Sequence, residues 1–185
     1  VGLEPDKEAE LTPLQGGGTG ILAAMERGVI DGFCLSSPTS DIAIAKFGGA
    51  YLFNMAKTPP PELNDYLYIS VAVSDEAIKT KRETLVNYVK GLAMAQQAIN
   101  SDPAAFKTWS QEWFKGLDPA VFEKAFDSNS KIYMPDPTPR EHHFNKNIEF
   151  VNLSFKTLNK DPMPSSFSFL DAYDPSIAEE AMKQL

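Results

Sequence analysis

Apolar positions follow two different rhythms along this chain. Up to about residue 66, short apolar runs of strand type alternate with short helical stretches; beyond it, apolar residues recur mainly at helical spacing. Residues 9–14 predict a strand running into Gly16-Gly17-Gly18, and Thr19 then opens a helix that carries Ile21, Leu22, Ala24 and Met25 and stops at Gly28, its C′ residue. Residues 29–35 (VIDGFCL) have the length and apolar content of a parallel-sheet strand. Ser36-Ser37-Pro38-Thr39 starts a second helix ending near Gly48-Gly49, and 51–55 supplies a third strand. Strand, helix, strand, helix, strand with short connections predicts right-handed crossovers and a small, mainly parallel sheet, an α/β fold. Pro59-Pro60-Pro61 reads as a stiff linker, 66–73 (YLYISVAV) as one more strand, and Ser74-Asp75 as a helix cap. Helices follow over 83–100, 103–114, 119–126, 141–158 and 175–185. The expected division is an α/β part over 1–66 and a crossover strand with a helical part over 67–185.

Charge narrows the functions. The 185 residues hold 17 Lys+Arg against 25 Asp+Glu, a formal charge of −8, with 43% hydrophobic residues. That length admits one domain or two small ones and excludes a large multidomain enzyme. Negative charge without any basic cluster argues against nucleic acid and anionic membrane surfaces as partners. No apolar run approaches the roughly 18 residues of a membrane span, so no membrane insertion is expected, and Val1 is not followed by a leader pattern. A lone cysteine, Cys34, makes no internal disulfide and leaves the redox compartment open.

Candidate chemistry sits in two loops. If 9–14 and 29–35 are parallel neighbours, Gly16, Gly17 and Gly18 and the Ser36–Thr39 loop both lie at strand carboxyl ends, each feeding a helix N-terminus. Free backbone N–H groups and the positive helix end suit a carboxylate, sulfonate or small oxyanion there, with hydroxyls from Thr19, Ser36, Ser37 and Thr39 as further donors. The plainer reading, glycines forming a turn and serines capping a helix, stays open. Neither loop fits a nucleotide-binding motif. His142 and His143 are adjacent on a helix, about 100° apart, and read as surface residues unable to share a metal. Cys34 is expected buried and unreactive, Asp31 paired with Arg27, and Phe106, Trp109, Trp113 and Phe114 in the core.

Residues 16–39, GGGTGILAAMERGVIDGFCLSSPT, resemble the substrate-binding proteins of ABC importers for nitrate, aliphatic sulfonates, taurine and thiamine pyrimidine precursors. The family's Ala-x-x-x-Gly-x-x-Asp pattern and following proline fall on Ala24, Gly28, Asp31 and Pro38; Gly2-Leu3-Glu4-Pro5, Gly48-Gly49, 68–78 and the ending LDAYDPSIAEEA are also family-like. Ser37 stands where a large or acidic residue is usual, and the match starts mid-family, so the chain looks like a C-terminal portion. The resemblance implies a periplasmic-binding-protein-like type II lobe followed by a helix-rich region. It further implies capture of a small polar or anionic molecule between two lobes, delivery to a membrane permease, an extracytoplasmic location, no cofactor and no catalysis. An enzyme of the same fold, thiamine-pyrimidine-synthase-like or from the menaquinone pathway, and a regulator's ligand-sensing domain are the rivals; the single cysteine argues against the synthase.

Overall fold

The structure is a computed structural model that describes Glu4 and residues 6–185. Gly2, Leu3 and Pro5 of the family-like opening lie outside the described residues. The helices are α1 (Gly17–Glu26), α2 (Thr39–Phe47), α3 (Asp75–Thr80), α4 (Arg82–Ser101), α5 (Pro103–Gln111), α6 (Pro119–Asn129), α7 (Glu141–Thr157), α8 (Phe169–Ala172) and α9 (Ser176–Met182). Each of the helical stretches read from apolar periodicity overlaps one of them over most of its length.

The expected α/β fold is not observed. The structure is helical and forms no sheet among the described residues, which rules out a type II lobe built on a parallel sheet. Residues 29–35, 51–55 and 66–73 follow extended or irregular paths without ladder partners. High β-propensity describes a side chain that fits a pleated, half-buried surface, and a run becomes a strand only when a neighbour takes up its N–H and C=O groups. These runs are left open instead: Leu52 is 92% and Ile69 81% exposed.

The Cα packing divides the chain into two units. The first comprises Val1–Phe53 and Gln111–Asn129. Within it α1 packs on α2 and α2 on α6, burying Ala24, Ala43, Val121 and Phe122. The glycine stop of α1 forms as expected: Gly28 takes φ 66°, its N–H donates to the Met25 carbonyl at 3.0 Å, and Val29 N–H donates to the Ala24 carbonyl at 2.9 Å. Those two bonds satisfy carbonyls that the end of a helix leaves open, in the Schellman arrangement.

The second unit comprises Asn54–Ser110 and Ser130–Leu185. Its core is the contact of α4 with α9, where Val86, Ile177 and Ala181 are buried and Ile78, Leu85 and Val89 pack around them. Val86, Val89 and Ala93 recur at helical spacing, which is why this face of α4 turns inward. Arg82 closes the edge, with its guanidinium 2.8 Å from Glu180 and donating to the Ser176 hydroxyl at 3.2 Å. The Pro-rich segment ends in a 3₁₀ turn, Pro61–Leu63, that packs against α7. Ser74 caps α3 as expected, its hydroxyl accepting the Ala77 N–H at 3.2 Å.

Two outcomes follow from these contacts. Ile177→Ala is expected to lower unfolding free energy by about 2–5 kcal/mol, while Glu180→Gln, at an exposed ion pair, lowers it by less than about 1 kcal/mol, both read from urea denaturation. The second concerns acid. The Ser168 hydroxyl and N–H hold the Asp171 carboxyl, and Ser176 the Asp174 carboxyl, below the ordinary value of 3.8. A folded value below the unfolded one adds stability that is complete above about pH 3.8 and fades as pH falls through the lower value. Acid unfolding followed by circular dichroism should therefore be shallower for Asp171→Asn than for the unsubstituted chain.

Candidate functional site

The two predicted loops meet. Gly16 precedes α1 and Gly17 opens it, with φ of 90° and 56°, a left-handed region in which a side chain is strained. Gly18 faces the start of α2, where a Cβ added to it would stand 2.6 Å from the Thr39 Oγ1. A side chain here would have to displace that of Thr39, so the hydrogen of Gly18 suits the close approach of the first turns of α1 and α2. Thr19 and Ser36 are exposed, while Ser37 and Thr39 are half-buried. The sequence reading thus named residues that share one corner of the first unit, although no sheet positions them.

That corner is organised by a residue the sequence reading passed over. Asp41, in the first turn of α2, is only 2% exposed. Ser37 donates its hydroxyl to the Asp41 Oδ2 at 2.5 Å, and Tyr51 donates its phenol to the Oδ1 at 2.8 Å. Tyr51 and Ser40 also lie within hydrogen-bond distance, 3.2 Å. Burial, the largest effect, and the Asp41 carboxylate both raise the Tyr51 pKa above 10.0, against the lowering effect of Ser40, so the phenol keeps its proton and stays a donor. The Ser37-x-x-x-Asp41 spacing was visible, but nothing in the sequence distinguished it from a cap.

The network changes what the corner offers a ligand. Ser37's hydrogen is committed to Asp41, so toward any incoming group its oxygen is an acceptor. The acidic side chain in the first turn of α2 also offsets the positive end of that helix, whereas the first turn of α1 holds no acidic residue. Anion attraction is therefore stronger at Gly16–Thr19 than at 36–39.

Several other expectations need correction. Cys34 is exposed, because no sheet forms to cover the 29–35 run. Arg27 turns its Nε to the Ala23 carbonyl at 3.0 Å. Trp109, Trp113 and Phe114 are exposed, Trp113 to 74%, and Phe106 is half-buried, so these aromatics do not build a core. His143 is buried at 6% exposure, and its Nδ1 accepts the Arg140 N–H at 3.2 Å as part of the α7 cap. Burial first, and then the charge of His142, hold the His143 pKa below 6.5. Two open depressions in the second unit, one lined in part by Asp75, Lys79 and Tyr173 and the other by Asp136, Thr138 and Arg140, include none of the loop residues.

Tyr51→Phe leaves one oxygen of a buried carboxylate without its donor, an omission expected to lower stability by about 1–3 kcal/mol. Ser37→Ala should do the same. In a double-mutant cycle measured by urea denaturation, the two losses should be non-additive, because both act through Asp41.

No described helix is long and apolar enough to cross a membrane. No curated protein and no solved structure matches this chain. A family model described as the NMT1-like family matches residues 1–112, a span that holds both loops, Asp41 and Tyr51, and it bears out the resemblance to the nitrate, sulfonate and taurine binding group at the level of the family. The chain belongs to the NMT1-like family.

Proposed function

We propose that this chain captures a small polar solute where the 16–19 and 36–39 loops meet, and serves as the solute-binding component of an ABC importer. The observation that carries the reading is the close approach of Gly18 to Thr39, which sets two helix starts and their hydroxyls side by side. Membership of the NMT1-like family supports binding of a small molecule. In this reading the protein works outside the cytoplasm, carries out no covalent chemistry, and hands its solute to a membrane permease.

The electrostatics refine the ligand. An anionic group, such as a sulfonate, is met by the N–H groups at the start of α1, whose own first turn holds no acidic residue. A hydrogen-bond donor on the same molecule faces the Ser37 oxygen, held in place by Asp41. A solute with a negative end and a donor end, as in an aminosulfonate, satisfies both.

Isothermal titration with taurine, a simple alkyl sulfonate and nitrate tests this. The aminosulfonate is expected to bind more tightly than the sulfonate lacking the amine. Gly18→Ala should weaken binding by forcing Thr39 away, and Ser37→Ala should weaken it by about 0.5–1.5 kcal/mol, with folding checked by thermal melting. Arg27→Ala should leave it unchanged. Binding that is abolished by Arg27→Ala and indifferent to the other two changes would place the site elsewhere.

A further inference from the structure

The second unit holds a cluster of metal-ligating side chains that the solute-binding reading does not use. Asp65, His142 and His143 each place one ligand atom so that all lie within 4.8 Å of one another. Adjacent helix positions point about 100° apart, which led the sequence reading to exclude a shared ion. The side chains overcome this, since the two imidazole rings converge to a centroid distance of 3.9 Å.

The third group comes from a different part of the chain and is held there firmly. Asp65 follows the Pro61–Leu63 turn and takes φ 61°, a conformation unfavourable for any residue but glycine, Asn or Asp. Just beyond it, Asn147 clamps the Leu67 backbone from both sides, accepting its N–H and donating to its carbonyl at 3.0 Å each. Asn147 stands one turn after His143 on the same face of α7. Tyr66 packs its ring on Phe150 of α7 at 4.9 Å. The 65–67 segment is thus anchored to the helix that carries both histidines, and its backbone brings the Asp65 carboxylate within reach of them.

We propose that Asp65, His142 and His143 bind one divalent transition-metal ion, Zn²⁺ being the representative case. Imidazole and carboxylate together suit such ions, and a tetrahedral site at about 2.0–2.2 Å from each ligand needs ligand atoms roughly 3.3 Å apart. The exposed side chains of Asp65 and His142 close the remaining distance by rotation while buried His143 stays as the fixed point.

Proton placement follows. In the metal-free form His143 Nδ1 accepts the Arg140 N–H, so the neutral ring carries its proton on Nε2. Coordination through either nitrogen ends the bond from Arg140: at Nδ1 the ion takes the place of the Arg140 N–H, and at Nε2 the ring proton moves to Nδ1. The ion fastens the 61–67 turn to the start of α7.

The test uses the full, untagged chain with metal alone. Isothermal titration with Zn²⁺ at pH 7.5 should show one equivalent bound, weakened at least tenfold by Asp65→Asn and by His142→Gln, both at exposed positions that tolerate substitution. Cu²⁺ loaded in its place should show hyperfine coupling to two nitrogens by electron paramagnetic resonance, and the Arg140 amide should shift in the ¹⁵N spectrum on Zn²⁺ addition. Absence of Zn²⁺ binding, affinity indifferent to both substitutions, or coupling to a single nitrogen would overturn the proposal.

Discussion

Asp41 is a carboxylate buried at the start of a helix whose described partners are hydroxyls and not a cation. A buried acid is tolerable only while its hydrogen bonds are made, so Ser37 and Tyr51 must stay where their hydrogens reach it. Ser37 belongs to the loop before α2 and Tyr51 to the segment after it. The carboxylate therefore ties both ends of the helix's surroundings to its first turn. With α2 so held, Thr39 is set against Gly18 and the start of α1 is fixed beside it. Position and chemistry of the candidate site both descend from this one buried group.

The second unit depends on a different principle. Its α4–α9 contact is an ordinary apolar seam with a partly exposed ion pair at the edge, and most of its stabilisation comes from burial. Polar side chains do more specific work at α7, where Asn147 replaces water for the Leu67 backbone and Arg140 and His143 satisfy each other at the helix start. In both units, polar groups select the geometry while apolar burial supplies most of the driving force.

The helices were legible because a helix satisfies its backbone locally, and apolar spacing with a glycine stop, as at Val86, Val89, Ala93 and Gly28, is enough to read it. Strands were not, because 29–35 and 66–73 carry the right residues without the partner that would make them strands. Cys34 and Trp113 were misplaced for the same reason: their burial was inferred from neighbours in sequence, whereas burial is decided by neighbours in space. The loop residues 16–19 and 36–39 were found through their composition, Gly and Ser before helices. Asp41 was missed because its importance lies in burial, and Asp65 with His143 because their meeting requires a turn to fold onto α7.

Central to this account is that the first turns of α1 and α2, the latter braced by Asp41, form the surface a solute meets. Hydrogen–deuterium exchange of the backbone amides with and without a bound aminosulfonate tests it most directly. The account predicts that slowed exchange concentrates at 17–20 and 39–41, and that Tyr51→Phe speeds exchange there even without ligand. Ligand-induced protection confined to the second unit, with the 17–20 and 39–41 amides unaffected, would contradict it.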